Sequence, residues 1–77
     1  MVLYTIAQTP AGPWSVRRQG LALFNDMQLA AAIRLARTVA RDEHVRSHRT
    51  VRVEMRDAAH VIPLGNFDQA YGRSAAA

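Results

Sequence analysis

One long stretch with helical periodicity, from Asn25 to Glu43, dominates this chain. Apolar side chains recur there about every 3.6 residues, which is the period of an α-helix. This stripe consists of Leu29, Ala32, Ile33, Ala36 and Ala40. Because alanine forms most of it, the helix can lie close to a flat apolar surface. The pattern therefore predicts one amphipathic helix packed on a small sheet.

Several signals place the start of this helix directly after Asn25. Asn25 is a favourable N-cap residue, and Gln28 follows at the spacing of a capping box. Phe24 and Leu29 occupy the positions of a hydrophobic staple, and Asp26 places a negative charge in the predicted first turn. The end of the helix has no comparable signal, since the segment from 44 to 49 contains no glycine.

Segments of alternating polarity before the helix predict β-strands. Val2–Gln8 and Trp14–Gln19 are separated by a short turn with two prolines and Gly12, so an antiparallel hairpin is expected. Leu21–Phe24 is interpreted as either a short third strand or an extended connection to the helix. A strand is favoured because four consecutive apolar residues are expected to be covered on both faces.

A second hairpin is predicted after the helix. Thr50–Arg56 alternates regularly, and Val61–Leu64 follows the predicted turn from Asp57 to His60. Pro63 places this last strand at an edge, because proline cannot donate to a strand ladder. The expected fold is a two-layer α+β domain over residues 1–67, with one helix packed on one face of a small antiparallel sheet. Residues 68–77 are expected to form a mobile tail.

The composition narrows the possible functions. The chain of 77 residues has no cysteine, which excludes disulfides, zinc–thiolate sites and thiol nucleophiles. No segment resembles a signal peptide or is apolar enough to cross a bilayer, so a soluble cytoplasmic protein without membrane contact is expected.

The formal net charge is +4, and all ten basic residues are arginine. Two interpretations stay open: binding of phosphate or carboxylate groups, and a coding bias that replaces lysine.

Five arginines are candidate residues for binding a partner or nucleic acid. Arg34, Arg37 and Arg41 lie opposite the apolar stripe of the predicted helix, and Arg52 and Arg56 lie on the outer face of the strand Thr50–Arg56. The alternative is an ordinary solvated surface, because charge alone does not demonstrate binding.

No residue pattern in the sequence indicates catalysis or a cofactor. His44 and His48 are four residues apart, but a zinc site needs three or four converging ligands, and no H-E-x-x-H motif is present. The four glycines are isolated, so they form no phosphate-binding loop. A protein without enzymatic activity, metal or cofactor is therefore expected. His44 and His48 are expected to lie exposed near the end of the helix.

Three motifs follow the N-terminal strand and its Pro/Gly turn: a W-x-V strand with a basic-Gly end, an A-I-x-x-A-R-x-x-A helix and a V-x-V strand. They correspond to Trp14, Val16, Arg18 and Gly20, to Ala32, Ile33, Ala36, Arg37 and Ala40, and to Val51 and Val53. In these motifs the chain resembles a family of short bacterial single-domain proteins of unknown function. The resemblance implies the fold and no activity.

Two functions remain as hypotheses from the sequence. The first is a small regulatory module that binds a protein partner or itself, with the edge at Val61–Leu64 as one contact. The alternative is a sequence-independent nucleic-acid-binding protein that uses the arginine face of the helix.

Overall fold

The computed structural model describes residues 1–57 and 59–67, so the predicted tail at 68–77 lies outside the described residues. Within them the chain forms a sheet and one helix. The elements are β1 (Val2–Gln8), β2 (Trp14–Arg18), β3 (Leu21–Met27), α1 (Leu29–Ser47), β4 (Val51–Arg56) and β5 (Val61–Phe67). The predicted α+β class, with one helix on one face of a small sheet, is confirmed.

The five strands have the order β3-β2-β1-β4-β5. The pairs β1–β2, β2–β3 and β4–β5 are antiparallel, whereas β1 and β4 are parallel, with Val2 opposite Val51 and Ile6 opposite Met55. The sheet is therefore mixed, which corrects the expectation that it is antiparallel throughout. The third strand is the reason. β3 runs in the same direction as β1. The chain then runs back along α1 in the opposite direction, so that β4 again runs in the direction of β1.

The core lies between the centre of the sheet and the alanine stripe of α1. The helix-facing side chains of β1 and β4 are buried except for Met55, which is half-buried at the margin of the core, as is Trp14 of β2. The buried apolar residues are Val2, Tyr4, Ile6, Val16, Ala32, Ala36, Ala40, Val51 and Val53. Since alanine provides the helix side of this contact, the β-branched and aromatic strand side chains supply most of its volume.

The helix begins at Leu29 with Gln28 as its N-cap residue, three residues beyond the predicted N-cap Asn25, so the prediction of its N-terminus is wrong. Asn25 and Asp26 belong to β3, whose last residue, Met27, pairs with Trp14 of β2. Gln28 occupies the N-cap position without a side-chain cap hydrogen bond. Pairing with β2 satisfies backbone groups that the predicted capping box would have satisfied, and tertiary pairing outweighs the local signal.

The helix ends at Ser47 through a left-handed residue. His48 adopts a φ of 60°, and its backbone N–H donates to the carbonyl of His44 at 2.8 Å. This is the geometry that glycine usually provides at a helix C-terminus. The absence of glycine therefore hid the end of the helix from sequence analysis.

Candidate functional site

The five candidate arginines lie on opposite sides of the molecule. Arg34, Arg37 and Arg41 are exposed on α1, whereas Arg52 and Arg56 are exposed on the face of β4 that points away from the helix. The sheet and the helix layer separate the two groups. A single flat partner therefore cannot contact both groups at once.

The sheet face without the helix, called here the open sheet face, carries three exposed arginines. Arg17 on β2 lies opposite Thr5 of β1, while Arg52 and Arg56 lie opposite Leu3 and Ala7. These β1 side chains, Leu3, Thr5 and Ala7, are half-buried between the arginines. Glu54 Oε2 lies 4.0 Å from Arg56 Nη2 and partly neutralises that arginine.

The strand aromatic side chains of the described residues lie on the helix side of the sheet. The register places Tyr4 opposite Val53, Trp14 opposite Met27, Phe24 opposite Val16 and Phe67 opposite Val51. Within the described strands, the open sheet face therefore presents charged and aliphatic side chains and no ring on which a base stacks.

An ion-pair cluster joins the helix to the first two strands. Arg18 donates to both oxygens of Glu43, from Nε at 2.9 Å and from Nη2 at 2.5 Å. The hydroxyl of Tyr4 donates to Oε1 of the same carboxylate at 2.5 Å. No sequence motif predicts a role for Glu43. Its position three residues beyond Ala40, on the buried side of the helix, is the one sequence signal that could have indicated it.

This cluster has fixed protonation states near neutral pH. Hydrogen bonds from Arg18 lower the pKa of Glu43 to about 2, and burial raises the pKa of the Tyr4 hydroxyl to about 12. The carboxylate is therefore charged and the phenol protonated across the physiological range. Since neither group exchanges protons there, the cluster is suited to holding α1 on the sheet.

His44 is buried, which corrects the expectation that it is exposed at the end of the helix. Its Nδ1 lies 2.6 Å from the carbonyl oxygen of Arg49, and since a carbonyl only accepts, Nδ1 donates. The imidazole ring also stacks on Phe67, with the centroids 6.2 Å apart. His44 thus connects the end of α1 with β5. Among the described residues no group of three His, Cys, Asp or Glu is placed to hold a metal ion.

A shallow depression lies at the end of the sheet where the two hairpin turns meet, lined by residues 7–10, 56 and 57. Its polar side chains already have partners in the turns. Gln8 donates to the carbonyl of Gly12 at 2.9 Å, Thr9 donates to that of Pro13 at 2.9 Å, and Asp57 accepts from the backbone N–H groups of Ala59 and His60. Its lining therefore offers no nucleophile paired with a base.

β3 leaves large apolar side chains exposed, although they were expected to be covered on both faces. The exposed fractions are 69% for Leu21, 42% for Leu23 and 40% for Phe24. These three residues are called here the β3 apolar patch. Leu21 lies opposite Arg18 and Phe24 opposite Val16, which places these two residues on the helix side of the sheet beyond the cover of α1, while Leu23 lies at the register shift between Ala22 and Phe24.

β5 forms the other edge of the sheet, as the sequence predicts, but it differs from β3. Pro63 lies within it opposite Glu54, and the ladder with β4 shifts register between Val53 and Glu54. Proline weakens the addition of a further strand because it has no backbone N–H to donate, and β3 contains no proline, although the β2–β3 ladder shifts register as well. The β3 edge is therefore the better candidate for binding a partner.

Comparisons with family models, with curated proteins and with solved structures find no match to this chain. The resemblance to the short bacterial family accordingly stays a hypothesis. None of the helical segments among the described residues has the length and hydropathy needed to span a bilayer.

Proposed function

We propose that this protein is a small non-enzymatic cytoplasmic module that binds a protein partner through the β3 edge. The exposure of the β3 apolar patch is the observation that carries the proposal. Full burial of a leucine or phenylalanine side chain contributes about 1.5 to 3 kcal/mol, so a partner that covers these three gains substantially.

The composition of the edge supports the same assignment. Natural edge strands are usually protected by charged side chains or proline, and β3 contains no proline and a single charged residue, Asp26, near its end. Its outward backbone groups can pair with an added strand, and its side chains provide specificity. We therefore assign β3 in place of the edge at Val61–Leu64, where Pro63 interrupts the ladder.

A capture experiment with matched variants tests this function. The wild-type chain, Leu23→Glu and Val45→Glu are each used to capture proteins from a nuclease-treated lysate of the native host. Val45 is the control because it is a similarly exposed apolar residue, at 47%, on α1. We expect Leu23→Glu to lose the captured protein and Val45→Glu to retain it. Equal capture by the three chains, or loss of all captured material after nuclease treatment, would contradict the proposal.

Sequence-independent binding of nucleic acid is the second candidate. The observation that favours it is the grouping of Arg17, Arg52 and Arg56 on the open sheet face. Without aromatic rings on this face, binding would rely on phosphate contacts, which carry no sequence information. Arg34, Arg37 and Arg41 on α1 provide a separate cationic surface for the same ligand.

Salt dependence distinguishes the two cationic surfaces. Each phosphate contact contributes about −0.9 to the slope of log affinity against log salt on duplex DNA. We expect the double substitution of Arg52 and Arg56 by alanine to reduce the magnitude of that slope by about 2 if the open sheet face binds. The triple alanine variant of Arg34, Arg37 and Arg41 is the matched test of the helix surface. Binding that is absent or insensitive to salt removes this candidate.

A further inference from the structure

We infer that this protein bridges two nucleic-acid duplexes, one bound by the arginines of α1 and the other by the open sheet face. The inference rests on the second candidate function and extends it from binding to bridging. The surface on α1, called here the helix cationic surface, consists of Arg34, Arg37 and Arg41, all of them exposed. The open sheet face carries as many exposed arginines on the other side of the molecule.

The arginines of the helix cationic surface have their charge available to a ligand. In the part of the chain that the structure describes, none of the three forms an ion pair. The two acids of α1 bind other residues, since Asp42 pairs with Arg46 at 3.2 Å and Glu43 binds Arg18 of β2. Like charges three and four residues apart on a helix repel one another, and a bound anion relieves that repulsion.

The open sheet face also has an excess of positive charge. The strands β1, β2 and β4 contain a single acid, Glu54, whose Oε2 lies 4.0 Å from Arg56 Nη2. The side chain of Glu54 is 19% exposed and that of Arg56 is 55% exposed. The guanidinium therefore extends further into solvent than the carboxylate, and it meets an approaching ligand first.

The chemistry of both surfaces fits phosphate groups better than a protein partner. A protein interface gains most of its binding energy from a few large, buried side chains at its centre. From residue 34 to residue 41 the exposed side chains of α1 are the three arginines and Thr38, which provide no such anchor. Guanidinium groups bind phosphate oxygens through paired hydrogen bonds and need no apolar anchor.

The same composition favours a duplex over a single strand. Proteins that bind single strands stack bases on aromatic rings, and the strand rings described above lie on the helix side of the sheet. Arg34 and Arg41 are separated by seven residues. At 1.5 Å per residue they lie about 10 Å apart along the helix axis. That distance covers about three phosphates of one duplex strand, which are spaced 3.4 Å apart along the duplex axis.

One straight duplex cannot use both surfaces. The core lies between α1 and the sheet, so a duplex on one surface leaves the arginines of the other facing solvent. Those arginines attract a second duplex, while the bound protein neutralises part of the phosphate charge by which the duplexes repel each other. Many copies along two duplexes act together, so that weak individual contacts add up to a stable bridge.

A bridging assay with two triple variants of equal charge tests the inference. A duplex fixed on beads captures a free fluorescent duplex of unrelated sequence only where the protein binds both. The first variant replaces Arg34, Arg37 and Arg41 by alanine, and the second replaces Arg17, Arg52 and Arg56. Fluorescence anisotropy measures the binding of each protein to one duplex, and bridging is compared at the salt concentration that gives half-saturation. Circular dichroism verifies that both variants fold.

At equal occupancy of one duplex we expect the wild-type chain to bridge and each triple variant to bridge at least about tenfold less. Bridging that either triple variant retains would overturn the inference. Leu23→Glu distinguishes two routes to a bridge, because copies that associate through β3 could join two duplexes with one cationic surface each. We expect Leu23→Glu to bridge as well as wild type, and loss of bridging in this variant would also overturn the inference.

The outcomes separate this inference from the functions proposed above. A protein that binds one duplex with the expected salt dependence but does not bridge overturns the inference and leaves the second candidate function in place. Absence of binding to any duplex removes both. Displacement of the duplex by an equal charge concentration of polyglutamate would assign the two surfaces to acidic proteins and overturn the inference. Capture of a protein through β3 is independent of all these results.

Discussion

Glu43 connects three elements of this structure through side-chain hydrogen bonds. Its carboxylate binds Arg18 of β2 and accepts from Tyr4 of β1, while its own backbone belongs to α1. Its side chain is 17% exposed and that of Arg18 is 41% exposed. A partly buried bidentate pair of this kind contributes more to stability than an ion pair on the surface.

Substitution of Glu43 by glutamine is expected to lower the free energy of unfolding by about 1 to 2 kcal/mol, because Arg18 and Tyr4 lose hydrogen bonds to a charged acceptor. Urea unfolding measures the change. Asp42→Asn is the control, since Asp42 pairs with Arg46 at 3.2 Å on an exposed helix surface and should change stability by less than about 0.5 kcal/mol. Equal effects of the two substitutions would contradict the role assigned to Glu43.

The same carboxylate is expected to make stability depend on pH in acid. Its pKa in the folded protein is about 2, below the ordinary value of 4.5. A lowered pKa contributes stability that is fully present above about pH 5 and is lost as the pH falls toward 2. Unfolding free energies measured across this range should show a smaller decrease for Glu43→Gln than for wild type. Parallel curves for the two proteins would show that another carboxyl group is responsible.

At the scale of elements, the alanine stripe sets how closely α1 approaches the sheet. Ala32, Ala36 and Ala40 are fully buried against the strand side chains. A larger side chain at these positions has to displace the helix or adopt an unfavourable rotamer.

Ala36→Leu is therefore expected to destabilise the protein by about 1 to 3 kcal/mol, although leucine is a good helix former. Chemical denaturation monitored by circular dichroism measures this change. Ala30→Leu, at an exposed position of the same helix, should change stability by less than about 0.5 kcal/mol. A neutral or stabilising effect of Ala36→Leu would show that the contact contains unfilled space.

The elements whose signals are local could be predicted from the sequence, and those set by tertiary pairing could not. The 3.6-residue period identified α1 and its buried face, and alternation identified β1 and β4. The sequence predicts too early a start for α1, because Asn25 and Gln28 have the spacing of a capping box. In the structure Trp14 pairs with Met27, and this pairing extends β3 beyond Asn25. The direction of β4 relative to β1 depends on whether the segment at Leu21 forms a full strand, which the sequence left open.

The sequence predicts which residues form the candidate site, but it does not predict which of them lie together in the folded protein. Arg34, Arg37 and Arg41 were assigned to one face of α1 by helical spacing, and Arg52 and Arg56 to one face of a strand by alternation. Packing of the apolar stripe of α1 on the apolar sheet face places these two groups on opposite sides of the molecule, but neither period gives the strand register that sets how Arg17 lies relative to Arg52 and Arg56. The β3 apolar patch was missed for a related reason: an apolar run is equally consistent with a buried strand and with an exposed edge.

At the scale of the whole molecule, β1 and β4 form the centre of the sheet and β3 and β5 its edges. The central strands contain fully buried residues such as Ile6 and Val53, while six of the seven residues of β3 are exposed. Local stability is therefore expected to fall from the centre toward both edges.

Amide hydrogen exchange measured by NMR should show this gradient. In dilute protein we expect the slowest exchange in β1 and β4 and faster exchange in β3 and β5, because edge strands open without disrupting the core. Uniform exchange across the five strands would contradict the gradient.

The parallel pairing of β1 with β4 also determines when the chain can fold during its synthesis. Val2 lies opposite Val51, so the two central strands are about 50 residues apart along the chain. The first three strands and the helix emerge from the ribosome before the strand that completes their core, and contacts of such long sequence separation form slowly. Until β4 pairs with β1, the apolar side of the early strands is incompletely covered, and exposed apolar surface of this kind makes a nascent chain prone to aggregation.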